Sequence, residues 1–178
     1  GYIGDREAAD FLMDGLAKLE YRGYDSAGIA VYNDGAIAVR KKAGRLVNLA
    51  EEVKAHPVVG TLGIGHTRWA THGGPSDVNA HPHTDEKGNF AIVHNGIIEN
   101  YMELKEELLK KGYHFKSETD TEVVAHLCAD MYDGDFTSTV RKVLARLRGS
   151  YSLVFMCKFE PDKIICSKKD NPLIVGLG

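Results

Sequence analysis

The chain is organised around one stretch in which an apolar run turns abruptly polar: Gly63-Ile-Gly-His-Thr-Arg-Trp-Ala-Thr-His-Gly73. The apolar run from Val58 to Ile64 predicts a buried strand. The residues that follow, 66–72, bring together a guanidinium, an indole, two hydroxyls and two imidazoles. A rigid strand that opens into a polar loop usually delivers side chains to a site at the edge of a sheet. The alternative is a solvated loop with one structural tryptophan, and this stretch alone does not decide between them.

Composition places the chain among ordinary globular domains. It has 178 residues, 43% of them hydrophobic and 26% charged, with a net charge of −3. This size supports one domain with a proper core. The near-neutral charge offers no reason to expect nucleic acid or a membrane surface as a partner, and no apolar run approaches the ~20 residues that span a bilayer. An odd number of cysteines without ligand-like spacing favours a reducing compartment, so we expect a cytoplasmic protein.

Periodicity and turn chemistry in the first half predict one helix, a hairpin and a second helix. Apolar residues recur at helical spacing over 8–19, behind a candidate cap at Asp5. Two strand-like runs, 27–32 and 36–41, are joined by Asn33-Asp34-Gly35, which is strong hairpin chemistry because these residues tolerate positive φ. A short helix is predicted over 45–56, ended by Pro57.

The second half begins with a predicted long loop over 73–89 and a buried strand over 90–93 that ends in His94-Asn95-Gly96. The remaining predicted elements are a helix opened by an Asn100/Glu103 capping box, another opened by Thr119/Glu122, a helix over 140–147, and strands over 151–157, 163–167 and 173–175. Strands at both ends with helices between them favour an α+β fold with largely antiparallel sheets. Neither a Gly-x-Gly-x-x-Gly turn nor a Walker loop is present, so a nucleotide cofactor has no support.

Three sets of residues have the chemistry to bind an amino acid or to stabilise an acyl transfer, although none supplies a nucleophile. Arg68, at a strand end, is a candidate clamp for an α-carboxylate, because guanidinium binds carboxylates in a bidentate way. Asn95 and the Gly96 N–H can form an oxyanion hole. Asp120, predicted as the first helical residue behind a Thr119 cap, can receive an ammonium group. The alternatives are a rim salt bridge, an ordinary Asn-Gly turn and an aspartate that only complements a helix dipole.

Histidines and cysteines are the remaining candidates for chemistry. Five histidines cluster in the sequence, but none forms a His-x-x-x-His pair and no cysteine lies near them, so we predict structural or substrate-lining roles and no metal: His66, His72, His81, His83 and His94. Cys128, Cys157 and Cys166 lie within apolar faces and are predicted to be small buried hydrophobes.

Five segments together resemble the type 2 glutamine amidotransferase (glutaminase) domains of the glucosamine-6-phosphate synthase family. They cover nearly the whole chain in the family's order: Glu20-Tyr-Arg-Gly-Tyr-Asp-Ser-Ala-Gly28, His66-Thr-Arg-Trp-Ala-Thr-His-Gly73, Asn79-Ala-His-Pro-His83, Val93-His-Asn-Gly-Ile-Ile-Glu-Asn100 and Ser117-Glu-Thr-Asp-Thr-Glu122. The resemblance implies one glutaminase domain over 1–178 with the N-terminal nucleophile hydrolase fold, an αββα sandwich of two antiparallel sheets. It implies L-glutamine as substrate and neither a cofactor nor a metal.

The resemblance also implies roles for individual residues. Arg68 would hold the α-carboxylate of glutamine and Asp120 its α-amino group, with Asn95 and Gly96 as the oxyanion hole. Further residues would lie in or around the pocket: Arg22, Trp69, Thr71, His72 and His81.

The largest departure from the family is at the start of the chain. Family members begin with Cys-Gly-Ile-Val ahead of a Gly-Tyr-Ile-Gly-like segment, and this chain begins at Gly1. The cysteine is the nucleophile and its own α-amine is the base, so a polypeptide that starts at Gly1 is expected to be inactive. In the full-length enzyme, ammonia would pass to a sugar isomerase half that aminates fructose 6-phosphate and forms a homodimer. The alternatives are an amidotransferase of purine or asparagine synthesis, and a glutamine-binding domain without catalysis.

Overall fold

The computed structural model describes residues 1–23, 25–69 and 73–177, and within them strands and helices segregate into layers. The strands are β1 Tyr2–Ile3, β2 Ser26–Asn33, β3 Ala36–Ala43, β4 Leu62–Arg68, β5 His83–Thr84, β6 Phe90–Ile98, β7 Gly149–Cys157 and β8 Ile164–Lys169. The helices are α1 Ala8–Ala17, α2 Leu46–Ala55, α3 Tyr101–Lys110, α4 Glu122–Met131 and α5 Phe136–Arg146, with a 3₁₀ turn at Glu20–Arg22.

Two antiparallel sheets form the centre of the molecule. The first has the strand order β1-β4-β2-β3 and the second β5-β6-β7-β8. Both are built largely from neighbours in sequence: β2 pairs with β3 from Ser26 opposite Ala43 to Asn33 opposite Ala36, and β7 pairs with β8. The α+β prediction with antiparallel sheets is confirmed.

The sheets pack face to face, with helices on both outer sides. Residues of β2 and β4 meet residues of β6 and β7 in one apolar cluster: Ala30, Leu62, Ile64, Ala91, Val93 and Met156. The other face of the first sheet packs on α1 and α2, through residues such as Leu12 and Leu49. The other face of the second sheet packs on α3, α4 and α5, through residues such as Leu108 and Val140. This is the predicted αββα sandwich, and it buries one surface of each helix and both surfaces of each sheet.

Several local predictions hold and others need correction. The hairpin turn is confirmed, since Asp34 and Gly35 have φ values of 43° and 82°. The cap at Asp5 is wrong: α1 begins after Glu7, whose carboxylate accepts a hydrogen bond from the Gly60 N–H instead. Asn100 does precede α3, but its side chain bonds the Arg146 carbonyl and the Arg148 N–H, so it ties the helix to a distant turn rather than capping it.

One predicted strand is displaced, one short strand was not predicted, and one predicted strand does not form. The strand placed at 58–64 runs instead from Leu62 to Arg68, so Arg68 is part of a strand. The long loop holds a short strand, β5, that pairs with β6. Residues 173–175 are not a strand, and the side chains of Ile174 and Val175 are largely exposed, without a neighbouring strand among the described residues. Cys128 and Cys157 are buried as predicted, whereas Cys166 is exposed.

Among the helices that the structure describes, none combines the length and the apolar character needed to cross a bilayer.

Replacing Phe155 by alanine should destabilise the fold strongly. Its ring is fully buried in β7 against the helical layer, whereas that of Phe159, four residues on, is 50% exposed. We expect Phe155→Ala to lower the free energy of unfolding by about 3–5 kcal/mol, because a buried ring leaves a cavity. Phe159→Ala is the matched control and should cost about 1 kcal/mol or less. Urea unfolding measures both, and equal losses would contradict this assignment of the core.

Candidate active site

The interior of the sandwich changes from apolar to polar at one end. Side chains alternate along a strand, so Ile64, His66 and Arg68 of β4 share the face that meets the second sheet. On β6 the corresponding face carries Val93 and then Asn95. The packed pair of Ile64 and Val93 is thus followed, two residues on, by a hydrogen bond between His66 Nε2 and Asn95 Oδ1 at 2.8 Å.

This polar end opens as a cleft of about 380 Å³. It is lined by residues from β4, β6, the turn before α4 and the segment after β8, among them Arg68, Trp69, Asn95, Gly96 and Asp120. His81 lines the same cleft, so six of the residues predicted from the sequence meet at one place. Thr71 and His72 lie outside the described residues, as does the side chain of Arg22.

Arg68 is a buried cation, with 4% of its surface exposed. Its Nη2 donates to the Gly73 carbonyl at 3.0 Å, and its Nη1 lies 3.9 Å from the Asp25 carboxylate. A buried guanidinium beside a carboxylate is held in place by that neighbour. The alternative of a salt bridge at the rim of the site is therefore wrong for Arg68. Trp69, which is 61% exposed, lies at the rim next to it.

Asp120 lies in the cleft, but the predicted position at the start of a helix is wrong. The helix α4 begins at Glu122, and Thr121 before it makes no side-chain cap. Asp120 Oδ2 instead accepts a hydrogen bond from the Ile98 N–H of β6 at 2.7 Å, and Oδ1 accepts one from the Thr121 hydroxyl. These bonds fix the carboxylate between the second sheet and α4.

Asn95 and Gly96 are not a turn, since both lie within β6 and pair with β7. Gly96 has φ of +125°, and a Cβ there would lie 2.1 Å from the Ser150 carbonyl oxygen. Only glycine fits this position. The backbone carbonyl of Asn95 accepts a hydrogen bond from Asn171 Nδ2. The exposed part of β6 is therefore held both by β7 and by the segment after β8.

Sequence reasoning missed Thr121, which connects two of the histidines. Its hydroxyl lies 3.0 Å from His81 Nε2 and 2.9 Å from His94 Nδ1. Glu122 was also assigned the wrong role, because its carboxylate accepts bonds from the Lys116 and Ser117 N–H groups and from the Ser117 hydroxyl. Burial raises the pKa of this carboxyl, but the neighbouring His126 imidazole and these hydrogen bonds outweigh burial and hold the pKa low, at about 2. The Thr119/Glu122 spacing mimics a capping box, and nothing in the sequence shows that both side chains bond elsewhere.

Three buried imidazoles form a row that starts at the wall of the cleft. The ring centroids of His66 and His81 are 4.6 Å apart and those of His81 and His83 are 4.7 Å apart. Burial lowers the pKa of His66 to about 4 and that of His83 to about 3, and lowers that of His81 well below its usual range. They are therefore neutral at pH 7. Within the described residues, no set of three potential ligands converges on a metal-sized site.

One glycine controls how the histidine-bearing loop approaches the sheet. Gly28 of β2 pairs with His66 of β4. A Cβ on Gly28 would lie 2.2 Å from the His81 carbonyl oxygen. The loop can pass over the strand here only because residue 28 has no side chain.

The buried histidines should make the domain unstable in mild acid. Their folded pKa values lie below the unfolded value, so the unfolded chain binds protons first and stability falls as the pH drops from about 6.5 towards 4. Each histidine adds up to about 1.4 kcal/mol per pH unit to the slope of the unfolding free energy against pH. In His83→Gln this slope, measured by urea unfolding between pH 7.5 and 4.5, should be smaller by the contribution of one histidine. An unchanged slope would show that His83 is not buried in its neutral form.

Comparison with known proteins agrees with this geometry. The chain is 57% identical over 178 residues to glutamine–fructose-6-phosphate aminotransferase [isomerizing] of Clostridium tetani and to that of Caldanaerobacter subterraneus, covering 100% of this chain and 29% of each relative. The chain thus spans less than a third of these relatives. The solved glutamine phosphoribosylpyrophosphate amidotransferase of B. subtilis superposes with a TM-score of 0.75 at 30% identity, over 88% of this chain and 34% of that one.

A family model described as a glutamine amidotransferase domain matches residues 66–171, from the first histidine of the cleft to the asparagine that borders it. This segment includes Arg68, Asn95, Gly96 and Asp120, and it makes up more than half of the chain. The chain therefore belongs to the glutamine amidotransferase domain family.

Proposed function

We propose that this chain is the glutaminase part of a glutamine–fructose-6-phosphate aminotransferase (isomerizing). The observation that carries the proposal is the 57% identity to such a relative over the whole chain. A cleft with one buried cation, one buried carboxylate and an exposed Asn-Gly strand segment fits glutamine, which has an α-carboxylate, an α-ammonium and a side-chain amide.

In this proposal, Arg68 and Asp120 hold the backbone end of glutamine. The guanidinium receives the α-carboxylate through two parallel hydrogen bonds, which suits the planar geometry of both groups. Asp120 keeps one carboxylate oxygen on the Ile98 N–H and presents the other to the α-ammonium. Both side chains are already held by protein contacts, so little side-chain freedom is lost on binding.

The amide end of glutamine then lies at Asn95 and Gly96. When the side-chain carbonyl carbon is attacked, negative charge develops on its oxygen, and in this proposal the Asn95 side-chain N–H and the Gly96 N–H stabilise that charge. A glycine with positive φ lets the backbone come close to the substrate. Removal of one such donor typically costs about 2.7–4 kcal/mol of transition-state stabilisation.

The nucleophile in this proposal is a cysteine thiol located ahead of Gly1 in the full protein. Support comes from the register of β1. Tyr2 lies opposite Gly63 and Ile3 opposite Leu62, so the two residue numbers of each pair add up to 65. If β1 continues backwards in the same register, the fourth residue before Gly1 lies opposite Arg68. A cysteine there would reach the cleft, and its free α-amine would serve as the base.

The proposed reaction proceeds through a thioester. The thiolate sulfur bonds to the side-chain amide carbon (Cδ) of glutamine, the bond from that carbon to nitrogen breaks, and the leaving nitrogen takes the thiol proton through the α-amine to depart as ammonia. Water then attacks the thioester, the C–S bond breaks, and glutamate leaves while the thiol is restored. The sum is glutamine plus water giving glutamate plus ammonia.

The finer features of the full-length protein are also proposals. Ammonia would be used by the remainder of the protein to aminate fructose 6-phosphate, and that remainder would form the homodimer. A cytoplasmic location fits this metabolism.

A second candidate is the glutaminase part of a phosphoribosyl pyrophosphate amidotransferase, which the structural superposition favours at a TM-score of 0.75. Its 30% identity is well below the 57% shared with the fructose-6-phosphate aminotransferase. A glutamine-binding domain without catalysis is a third reading, and a glutaminase assay on the full-length protein separates it from the other two.

The acceptor can be tested directly. The full-length protein, supplied with glutamine, should form glucosamine 6-phosphate from fructose 6-phosphate, detected by mass spectrometry. With phosphoribosyl pyrophosphate it should form no phosphoribosylamine. The reverse pattern would replace the proposal by the second candidate.

Substituting Arg68 by lysine should weaken glutamine binding. A lysine keeps the positive charge but cannot form the bidentate pair. Loss of one charge-assisted hydrogen bond of about 1.5–3 kcal/mol predicts an increase of about 10- to 100-fold in the KM for glutamine, with kcat changed less. Steady-state glutamate release by the full-length enzyme measures both constants.

The matched control is Arg45→Lys, because Arg45 is an exposed arginine that pairs with Glu20 away from the cleft. It should leave KM unchanged. A well-folded Arg68→Lys protein with the parent KM would remove Arg68 from the clamp.

A further inference from the structure

The side-chain amide of asparagine ends in an oxygen and an NH2 group of similar shape. Only the NH2 group can donate a hydrogen bond to an oxyanion. If Asn95 turned its amide by half a turn, it would present an oxygen where the proposed mechanism needs an N–H. Asn95 lies on the exposed part of β6, where the strand's own backbone pairing with β7 does not choose between the two orientations. Some neighbouring group has to select the orientation.

His66 is the group that contacts the Asn95 amide. Its Nε2 lies 2.8 Å from Asn95 Oδ1, and the bond crosses from the first sheet to the second. Among the described residues, His66 Nδ1 has no hydrogen-bond partner. A neutral imidazole carries one N–H, and an unpaired buried N–H is rarer than an unpaired buried acceptor. The proton therefore belongs on Nε2, and His66 donates to Asn95.

Burial keeps His66 in this neutral form. The side chain is 9% exposed and is packed against the ring of His81. Its pKa is lowered to about 4 by desolvation, so protonation does not disturb the bond near pH 7. A donor of fixed tautomer holds the asparagine oxygen, and the asparagine Nδ2 is left for the cleft.

We propose that His66 is a positioning residue that orients the Asn95 amide, so that the Asn95 N–H and not its oxygen faces the developing oxyanion. This inference rests on the proposed glutaminase function. His66 does not touch the reacting atoms and acts only through Asn95. Its removal should slow the chemical step and leave glutamine binding nearly unchanged.

The first test compares two amide replacements of different reach in the full-length enzyme. In His66→Gln the side-chain N–H reaches the place of Nε2, whereas in His66→Asn it reaches only the place of Nδ1. We expect kcat for glutamine hydrolysis to stay within about threefold of the parent in His66→Gln. In His66→Asn and His66→Leu it should fall about 10- to 100-fold, somewhat less than the 10²–10³-fold typical for loss of the oxyanion donor itself. KM should change little in each.

A double-mutant cycle separates positioning from a general structural role. In an Asn95→Ala background the residue to be oriented is gone, so His66→Leu should lower kcat no further. His56→Gln, at an exposed histidine in the first sheet's helical layer, serves as the control for unrelated effects. Circular dichroism and urea unfolding show whether each variant is folded.

The outcomes are distinct. Three results would each overturn the inference. The first is an equal loss of kcat in His66→Gln and His66→Asn, and the second is a loss of kcat in His66→Leu that persists in the Asn95→Ala background. The third is an effect on KM alone. A parent enzyme that does not hydrolyse glutamine would instead overturn the proposed function on which it rests.

Discussion

The face-to-face packing of the two sheets is the constraint on which the rest of the structure depends. Side chains alternate along each strand, so one set of residues from β4 and one from β6 must point into the same narrow space. Where both sets are apolar, as at Ile64 and Val93, the space is a core. Two residues further on the same faces carry His66 and Asn95, joined by a hydrogen bond, and the core becomes a cleft. The alternation of side chains along β4 and β6 therefore produces both the core and the cleft.

Burial of polar groups is the second feature of this arrangement. Arg68, Asp120 and the row of histidines are all nearly inaccessible to water. Such groups are tolerable only when they are paired or neutral, and here Asp120 is bonded to the β6 backbone while burial favours the neutral imidazoles. These contacts make the polar end of the sandwich rigid. Under the proposed function this rigidity is useful, because groups that stabilise a developing charge work best when they need not reorganise.

Much of this was predictable because it depends on local patterns. The hairpin at Asn33-Asp34-Gly35 follows from turn chemistry, and the antiparallel layers follow from the order of strands and helices. Helix starts were less predictable: Asp5, Asn100 and Thr119 all have capping side chains, yet none caps the helix predicted for it. Asn100 bonds the Arg146 carbonyl and the Arg148 N–H instead, and Thr119 bonds the imidazole of His83. Thr121, likewise, gains its importance only when distant histidines pack around it.

Gly28 shows that a residue outside the cleft can affect the positions of the residues that line it. It lies on β2 beside His66, and its missing side chain makes room for the His81 carbonyl. A single methyl group at residue 28 would push the loop outward, separate His81 from Thr121, and loosen the support beneath Asp120. Under the proposed function, such a change would impair catalysis although the added atom does not contact glutamine. The part of β2 beneath the histidine-bearing loop would then matter for activity as much as the residues that line the cleft.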